Sequence, residues 1–261
     1  MQPVCLITGA SAGIGAELAR VFASHGNALV LAARRQAQLD TLAAEIAAAG
    51  HLRPKVIATD LASHDGPARL AEALHAAGFE PAIVVNNAGF GLLGGAADLD
   101  RAQQLAMIDL NARALTDLSL RWVDSIIRHR GGILNVASIA AFMPGPGMAV
   151  YHATKAYVLS FTEALHSEMK GKGVRVCALC PGPVETEFFD HAGMPHDYFP
   201  RFLRRSPGRV AREGYAGFMA GRRVVVPGKI NRVITLLPRL VPRGLMLAMI
   251  NRRWNRTRDR G

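Results

Sequence analysis

Residues 4–15 read Val-Cys-Leu-Ile-Thr-Gly-Ala-Ser-Ala-Gly-Ile-Gly, and this stretch decides the fold. It begins with an apolar run typical of a buried strand, continues as a Gly-rich turn, and leads into a helical pattern from Ile14 to His25. The main chain of such a turn can approach a phosphate closely, and the helix N-terminus favours the negative charge. The stretch therefore predicts a nucleotide-binding turn, although its spacing is G-x-x-x-G-x-G and not G-x-G-x-x-G.

The same alternation of short β-like runs and longer helical patterns continues along the chain. Further strands are predicted at 28–32, 55–59, 83–85, 132–136, 174–179 and 222–226. Further helices are predicted at 36–49, 67–77, 102–128 and 154–170. With right-handed crossovers this order gives an α/β fold with a doubly wound, Rossmann-type parallel sheet. We predict a three-layer α/β/α catalytic domain over residues 1–228 and a basic, amphipathic helical extension over residues 229–261.

The formal charge of +11 is concentrated near the C-terminus. Residues 1–200 carry 15 Lys and Arg against 18 acidic residues, whereas residues 201–261 carry 16 against 2. A near-neutral domain with a basic end does not fit a protein that coats nucleic acid. Since no aromatic stacking platform beyond Trp254 accompanies the charge, we predict no nucleic-acid partner.

The C-terminal extension mixes apolar and basic side chains, and two interpretations stay open. Its predicted helices, separated by Pro238 and Pro242, dock on this chain's own core or on a neighbouring subunit, or residues 229–256 lie on an anionic membrane surface. The longest apolar stretch, 233–250, is not predicted to span a membrane, because it is interrupted by Pro238, Arg239, Pro242 and Arg243. The first strand begins by Val4 and leaves no room for a signal peptide, so we predict a cytoplasmic location, with or without peripheral membrane contact.

Three cysteines cannot form a disulfide framework, and a reducing compartment is expected. Cys177 and Cys180 form a C-x-x-C at a predicted buried strand, where residues three apart point to opposite faces of the sheet. No second Cys/His pair has the spacing of a metal site. We therefore predict buried thiols and no metal.

The end of the second strand discriminates between the two nicotinamide cofactors. An NAD site usually places a carboxylate about 20 residues after the turn, where it holds the ribose hydroxyls. Here Ala32 and Ala33 are followed by Arg34 and Arg35. A carboxylate would repel a 2′-phosphate, whereas a guanidinium binds it with charge-assisted hydrogen bonds. The arginine pair predicts NADP(H); the alternative is a solvated turn.

Tyr151 and Lys155 lie four residues apart at the start of a helix, so their side chains share one face. A phenol with its usual pKa of about 10 is a poor proton relay at neutral pH. An ammonium group beside it, together with an oxidised nicotinamide, favours the phenolate. Ser138 follows the predicted strand at 132–136 and is placed to donate a hydrogen bond to a substrate carbonyl.

In this combination the chain resembles the short-chain dehydrogenase/reductase family over about residues 3–190. The matching pieces stand in family order and are Thr8-Gly-x-x-x-Gly13-x-Gly15, Asp60-Leu61, Asn86-Asn-Ala-Gly89, Asn111, Ser138, Tyr151-x-x-x-Lys155 and Pro181-Gly182. The resemblance implies hydride transfer between NADP(H) and a carbonyl or secondary alcohol. It also implies a homodimer or homotetramer, and the predicted helix at 102–128 is apolar enough to bury a face against another subunit.

The resemblance implies a role for each of four catalytic residues. Tyr151 protonates the carbonyl oxygen as hydride arrives, and Ser138 polarises and positions that carbonyl. Lys155 lowers the pKa of Tyr151 and holds the nicotinamide ribose. Asn111 anchors a water that links Lys155 to solvent.

The resemblance also implies a set of cofactor contacts. Asp60 contacts the adenine; the alternative is that it only caps a helix. Asn87 supports the cofactor. Val184 and Thr186 flank the carboxamide of the nicotinamide, and the alternative for Thr186 is an ordinary position in the lid. The predicted cofactor-binding residues are Gly9, Ser11, Gly13, Ile14, Gly15, Arg34, Arg35, Asp60, Leu61, Asn87, Ala88, Gly89, Tyr151, Lys155, Pro181, Gly182, Val184 and Thr186.

Residues 186–215 are predicted to form a substrate lid. Its Phe-rich composition favours an apolar small-molecule substrate such as a 3-ketoacyl chain, a steroid-like ring or another lipid ketone. The stretch Val226-Pro-Gly-Lys-Ile-Asn231 resembles the branch with ketoacyl reductases and hydroxysteroid-type dehydrogenases. The alternative function is a non-catalytic NADP-sensing or scaffold protein that acts through the basic tail. The intact Ser138, Tyr151 and Lys155 set argues against it, because binding alone does not require these residues.

Overall fold

A parallel β-sheet forms the centre of the protein in a computed structural model that describes residues 1–195 and 197–258. Within these residues the strands are β1 (Gln2–Thr8), β2 (Leu29–Ala33), β3 (Lys55–Ala58), β4 (Phe79–Asn86), β5 (Gly132–Val136), β6 (Arg175–Leu179) and β7 (Val224–Val225). Their order in the sheet is β3-β2-β1-β4-β5-β6-β7, and each pair is parallel. The predicted doubly wound, Rossmann-type sheet is confirmed. Four residues of the predicted lid and extension lie outside the described part: His196, Asp259, Arg260 and Gly261.

Helices cover both faces of the sheet. They are α1 (Gly13–Ser24), α2 (Gln36–Ala48), α3 (Gly66–Ala76), α4 (Arg101–Ile108), α5 (Leu115–Arg121), α6 (Val123–Arg128), α7 (Ala149–Glu168), α8 (Phe188–His191), α9 (Pro207–Met219), α10 (Lys229–Leu240) and α11 (Arg243–Arg258). A π-helical turn at Asp109–Ala114 joins α4 to α5, and short 3-10 turns occupy Ile139–Phe142 and Arg201–Leu203.

The central strands are mostly apolar and buried because helices cover both of their faces. Every residue of β2 and β5 is buried. On one side Phe22 of α1 packs against Phe218 of α9, with ring centroids 6.1 Å apart. On the other side a second apolar layer includes Leu70 and Leu118. The chain reverses its winding between β1 and β4, which places a crevice at the carboxyl ends of these strands.

The predicted single helix at 102–128 is wrong as one element. The π-helical turn at Asp109–Ala114 interrupts it, and a second break falls at Trp122, whose φ of −115° and ψ of 22° end α5. The first interruption contains Asn111, a fully buried residue whose side chain bonds to the main chain of Phe90. The wider π-helical turn thus coincides with the burial of the polar Asn111 side chain.

The predicted boundaries of the lid also need correction. Residues 207–215 belong to α9, in which Val210 and Ala211 are fully buried against the sheet and α1. This helix is therefore part of the apolar core. We call residues 186–206 the lid segment from here on.

The predicted break of the extension at Pro238 is wrong. Helix α10 continues through Pro238 to Leu240, and the break falls at Val241, whose backbone is extended. Pro242 then precedes α11, and its carbonyl accepts a hydrogen bond from the Met246 amide. Proline suits this position because its fixed φ fits a helix start and its missing N–H is not needed there.

The three cysteines are buried free thiols, as predicted. Cys177 packs in the layer with α1 and α9, and Cys180 packs on the other side of the sheet. In the described part of the chain no cluster of three metal-ligating side chains occurs. Within the same residues, no helix combines the length and apolar character needed to cross a bilayer.

Candidate active site

The Gly-rich turn between β1 and α1 depends on glycine at specific positions. Gly9 and Gly13 have φ angles of +63° and +57°, which L side chains rarely adopt. A Cβ atom on Gly9 would lie 2.7 Å from the Cα of Ala88, and one on Gly15 would overlap the carbonyl oxygen of Gly9. The turn and α1 therefore pack against the β4 end with no room for side chains.

The first turn of α1 is suited to hold an anion. Within the described residues no side chain caps this helix N-terminus, and its first turn carries no acidic residue. Its main-chain N–H groups and the helix dipole are therefore available to phosphate oxygens. The methyl group of Thr186 borders Gly13, at 3.0 Å from where a Cβ would stand. The predicted pyrophosphate cradle, with Ile14 in the same turn, fits the residues present.

Thr8 links this turn to β4, a role that the sequence motif did not reveal. Its hydroxyl donates to the Val85 carbonyl and accepts bonds of 3.1 Å from the amides of Asn87 and Ala88. The Asn87 side chain returns two bonds of 3.0 Å, to the carbonyls of Thr8 and Gly9. The Asn87 side chain thus supports the main chain of the Gly-rich turn. This contact agrees with the predicted place of Asn87 beside β4.

The two arginines after β2 occupy different environments. Arg35 donates from Nε and a terminal nitrogen to the Ser11 hydroxyl, at 3.3 and 3.2 Å, and pairs with Glu187 at 2.8 Å. Arg34 is exposed at the same strand end. The Arg35 guanidinium also lowers the pKa of Glu187. Arg35 therefore joins the phosphate turn to the lid segment, and Glu187 is a site residue that sequence reasoning missed because it lies 152 positions away.

Asp60 and Leu61 fit their predicted cofactor roles less well. The Asp60 carboxylate accepts a 3.0 Å bond from the Ala62 amide in the turn before α3, and it does not cap that helix, whose N-cap position is Asp65. The Leu61 side chain is buried in the apolar layer with Leu70. The Leu61 side chain is therefore part of the apolar core and is not available to contact a ligand.

Ser138, Tyr151 and Lys155 come together where β5 ends. Ser138 caps the following 3-10 turn by accepting a 3.1 Å bond from the Ala140 amide, and its hydroxyl is hydrogen bonded to Tyr151. The buried Lys155 donates a 2.8 Å bond to the Val136 carbonyl, and its Nζ lies 5.9 Å from the centroid of the Tyr151 ring. One hydroxyl, one phenol and one amine thus converge beside the nucleotide turn.

Burial controls the protonation of this group. It raises the pKa of Tyr151 to about 12, against which only the hydrogen bond from Ser138 acts. It lowers the pKa of Lys155 to about 8, because the ammonium form is poorly solvated there. The predicted lowering of the Tyr151 pKa by Lys155 is thus not found among the protein's own groups. With these groups alone, Tyr151 holds its proton at neutral pH.

Asn111 fixes the elements around this group. Its side-chain oxygen accepts a 3.1 Å bond from the Phe90 amide, and its nitrogen donates to the Phe90 carbonyl and to Thr154 at 2.9 and 3.2 Å. A Cβ on Gly89 would lie 2.8 Å from that oxygen and 3.4 Å from Lys155 Nζ. Asn111 therefore holds the segment after β4 against α7, and one lone pair of its oxygen remains for the predicted water.

The segment that leaves β6 borders the same site. The Pro181 carbonyl accepts a 2.9 Å bond from the Ile139 amide, directly after Ser138. Gly182 packs against the side chain of Asn231, and Val184 is buried in the core next to the lid segment. These predicted residues lie beside the catalytic group, whereas the Val184 side chain points into apolar packing.

Apolar side chains surround the phenol. The ring centroid of Phe188 is 5.5 Å from that of Tyr151, and Met148, Phe189 and Met194 are buried in the same cluster. A cavity of about 10 Å³ beside Tyr151 is lined by Met107 and Met148 among others, which is room for about one water molecule. This cavity is therefore too small to hold a ketone substrate.

A larger cleft of about 510 Å³ lies elsewhere and does not contain these groups. It is lined by residues such as His75, Phe79 and Trp122, where β4 begins. The Gly-rich turn and Ser138 stand at the opposite ends of the strands. In open α/β sheets ligands bind at the carboxyl ends, so the smaller site is the candidate.

Comparisons with known proteins agree with this geometry. The family model for short chain dehydrogenases matches residues 3–194. Serine 3-dehydrogenase from Agrobacterium fabrum is 35% identical over 189 residues, 72% of this chain and 74% of that protein. Human very-long-chain 3-oxoacyl-CoA reductase is 32% identical over 188 residues, 70% of this chain and 59% of that protein. A solved short-chain dehydrogenase from Sphingobium yanoikuyae in complex with NADPH is 32% identical, with a TM-score of 0.81 and coverage of 94% of this chain and 95% of that one.

The contacts of Arg35 predict its effect on cofactor preference. We expect Arg35→Ala to weaken NADPH binding by about tenfold to a hundredfold and to change NADH binding little, because only NADPH carries the 2′-phosphate. Glu187→Gln removes the carboxylate that competes for this guanidinium, so NADPH should bind about two- to fivefold more tightly. Fluorescence titration of both nucleotides measures the two effects.

Arg53→Ala serves as the matched control, since Arg53 is also exposed but lies outside this site. Equal weakening of NADPH and NADH by Arg35→Ala would contradict the phosphate-binding role.

Proposed function

Since the chain belongs to the short-chain dehydrogenase/reductase family, we propose that it reduces a carbonyl, or oxidises a secondary alcohol, with NADP(H) as the hydride carrier. Enzymes of this family act on CH–OH groups, and the chain is an oxidoreductase of that kind. The single observation that carries the proposal is the convergence of Ser138, Tyr151 and Lys155 beside the Gly-rich turn. When bound, the cofactor supplies or accepts the hydride.

The residues that would hold the cofactor are those of the turn and its neighbours. The main-chain N–H groups at the start of α1 receive the pyrophosphate, and the Arg35 guanidinium receives the 2′-phosphate. Of the predicted arginine pair, Arg35 is the one in contact with Ser11 of the turn. The site is therefore suited to NADP(H).

The protein's groups handle the proton. In the direction of reduction, the Ser138 hydroxyl donates a hydrogen bond to the carbonyl oxygen, and Tyr151 transfers its phenolic proton to that oxygen as the carbon is reduced. The resulting phenolate is stabilised by the Lys155 ammonium, from which a proton returns to Tyr151, and Lys155 regains its proton from solvent. Oxidation of an alcohol runs through the same positions in reverse. Because burial keeps the phenol protonated, the arrangement is prepared for reduction.

For the substrate, we infer an apolar ketone such as a 3-ketoacyl chain, a steroid-like ring or another lipid ketone. The support is the cluster of Met148, Phe188 and Phe189 next to Tyr151. The two relatives named above bear the names of a small polar and of a long apolar substrate. Their names alone do not select one class, so the lining of the site carries this inference.

Two proposals concern partners. A homodimer or homotetramer is supported by exposed apolar side chains on α4, α5 and α7: Leu105, Ile108, Leu120 and Tyr157. A membrane contact of the C-terminal extension is supported by the exposed side chains of α10. Both are independent of the catalytic assignment.

Replacement of the phenol tests the catalytic proposal. We expect Tyr151→Phe to lower kcat for ketone reduction by about a hundredfold to ten-thousandfold, the range for loss of a general acid, while NADPH affinity stays within about twofold. Steady-state kinetics with NADPH oxidation and nucleotide titration measure both.

The control is Tyr157→Phe, six residues along the same helix, where the hydroxyl is hydrogen bonded to Thr116 at the surface. If Tyr151→Phe kept the biological activity of the protein while Arg35→Ala abolished it, the NADP-sensing or scaffold function would replace the catalytic one.

The pKa values predict a pH profile for reduction. Tyr151 stays protonated throughout the neutral range, whereas Lys155 loses its proton as the pH rises through about 8. We therefore expect kcat/KM for ketone reduction to be flat below this pH and to fall above it, because the charge that stabilises the phenolate disappears. Initial rates between neutral and strongly alkaline pH, with circular dichroism as a check on folding, measure the profile. A rate that rises through this range would be the opposite result.

The apolar lining predicts a preference among ketones. In a screen graded by chain length and ring size, kcat/KM should increase with apolar substrate surface, by about tenfold for each two methylene groups that the site buries. Met148→Gln, which makes the lining polar, should reduce this gradient. A preference for small hydrophilic sugars over long-chain ketones would overturn the substrate inference and leave the reaction type intact.

A further inference from the structure

Helix α10 presents its large apolar side chains to solvent and turns two uncharged polar side chains toward the protein. Asn231 and Thr235, one turn apart, are buried, with 2% and 6% exposure. The opposite face carries five large apolar side chains that are 44–80% exposed: Ile230, Val233, Leu236, Leu237 and Leu240. A helix on the surface of a water-soluble domain normally has the reverse arrangement.

Specific contacts fix this orientation. The Asn231 amide nitrogen donates a 3.1 Å bond to the Pro227 carbonyl, and its side chain packs directly on Gly182. At the start of the helix the Gly228 amide donates a 3.1 Å bond to Glu213, which also pairs with Arg205. A rotation that buried the leucines would remove the Asn231 side chain from Gly182 and separate the Gly228 amide from Glu213. The apolar face is therefore held outward.

Helix α11 also exposes apolar side chains to solvent. It is attached through Met246, which is buried, and through the indole of Trp254, which packs on Gly147 just before α7. Leu245, Leu247 and Met249 remain 36–57% exposed. The two helices thus lie beside the segment that leads to Tyr151, and together they display eight exposed apolar side chains.

Cations accompany this apolar face. Lys229, Arg232, Arg243 and Arg252 are exposed on the same two helices. Residues 201–261 as a whole carry 16 Lys and Arg against 2 acidic residues. An apolar helical face among cations matches the boundary between anionic headgroups and acyl chains, where helices lie with their apolar side inserted.

A second copy of this chain suits the face less well. An isologous contact would place each basic surface against its own copy, and juxtaposed like charges are repulsive. Anionic lipid supplies both the negative charge and the apolar medium that the face needs. We propose that α10 and α11 dock the protein on an anionic membrane surface, with the apolar face of α10 inserted among the acyl chains and the helices parallel to the bilayer.

Vesicle binding by the full chain tests this proposal without reference to catalysis. Co-sedimentation uses vesicles of equal parts phosphatidylcholine and phosphatidylglycerol, and vesicles of phosphatidylcholine alone. We expect strong binding to the anionic vesicles only, with a partition coefficient reduced about tenfold or more in Leu236→Gln/Leu240→Gln. Lys229→Gln/Arg243→Gln should reduce it by about fivefold for each charge removed, and high salt should do the same.

The matched control is Leu52→Gln/Met219→Gln, which removes two exposed apolar side chains outside the extension, 62% and 42% exposed, and should change binding by less than about twofold. All substituted side chains are exposed, and thermal unfolding of each variant verifies the fold.

Three outcomes would overturn the proposal. They are a wild-type chain that does not bind anionic vesicles, a leucine variant that binds them as the wild type does, and a leucine variant whose oligomer dissociates in sedimentation velocity while the control's does not. The last result would assign the face to a second copy of the chain.

Discussion

The hydroxyl of Thr8 is the contact on which the rest of the site depends. It joins β1 to β4 at the point where the winding of the sheet reverses, through one bond donated and two accepted. With the return bonds of Asn87, it holds the phosphate turn against the end of β4, where glycine alone fits. The following segment then reaches Asn111, which ties it to α7 and hence to the catalytic lysine. One polar link thus aligns the nucleotide half of the crevice with the catalytic half.

Burial around this framework determines the chemistry more than charge does. Lys155 is enclosed between β5 and the segment after β4, so its ammonium form is destabilised. The phenol of Tyr151 is destabilised as an anion by the same surroundings. A partly buried acid and a buried base held near each other, with pKa values displaced in opposite directions, are typical of sites that transfer protons.

Local sequence patterns were sufficient for the strands, the glycine turn and the catalytic group, because each is specified by residues close together in the chain. These local patterns could not predict features that depend on contacts between residues far apart in the chain. The pairing of Arg35 with Glu187 joins positions far apart, and the interruption of the 102–128 helix accompanies a buried Asn111 bonded to Phe90. The upward shift of the Tyr151 pKa results from burial of the phenol among Phe188 and its neighbours. Likewise, an amphipathic pattern identifies α10 as a helix but does not say which face turns inward.

The ion pair between Arg35 and Glu187 gives the crevice a sensitivity to ionic strength. Both side chains are partly exposed, so dissolved ions screen their attraction, over a distance of about 8 Å at physiological salt. Glu187 stands at the start of the lid segment, directly before Phe188, which lies against the catalytic phenol. The contact between the phosphate turn and the lid segment that this ion pair makes is therefore weaker in concentrated salt than in dilute buffer.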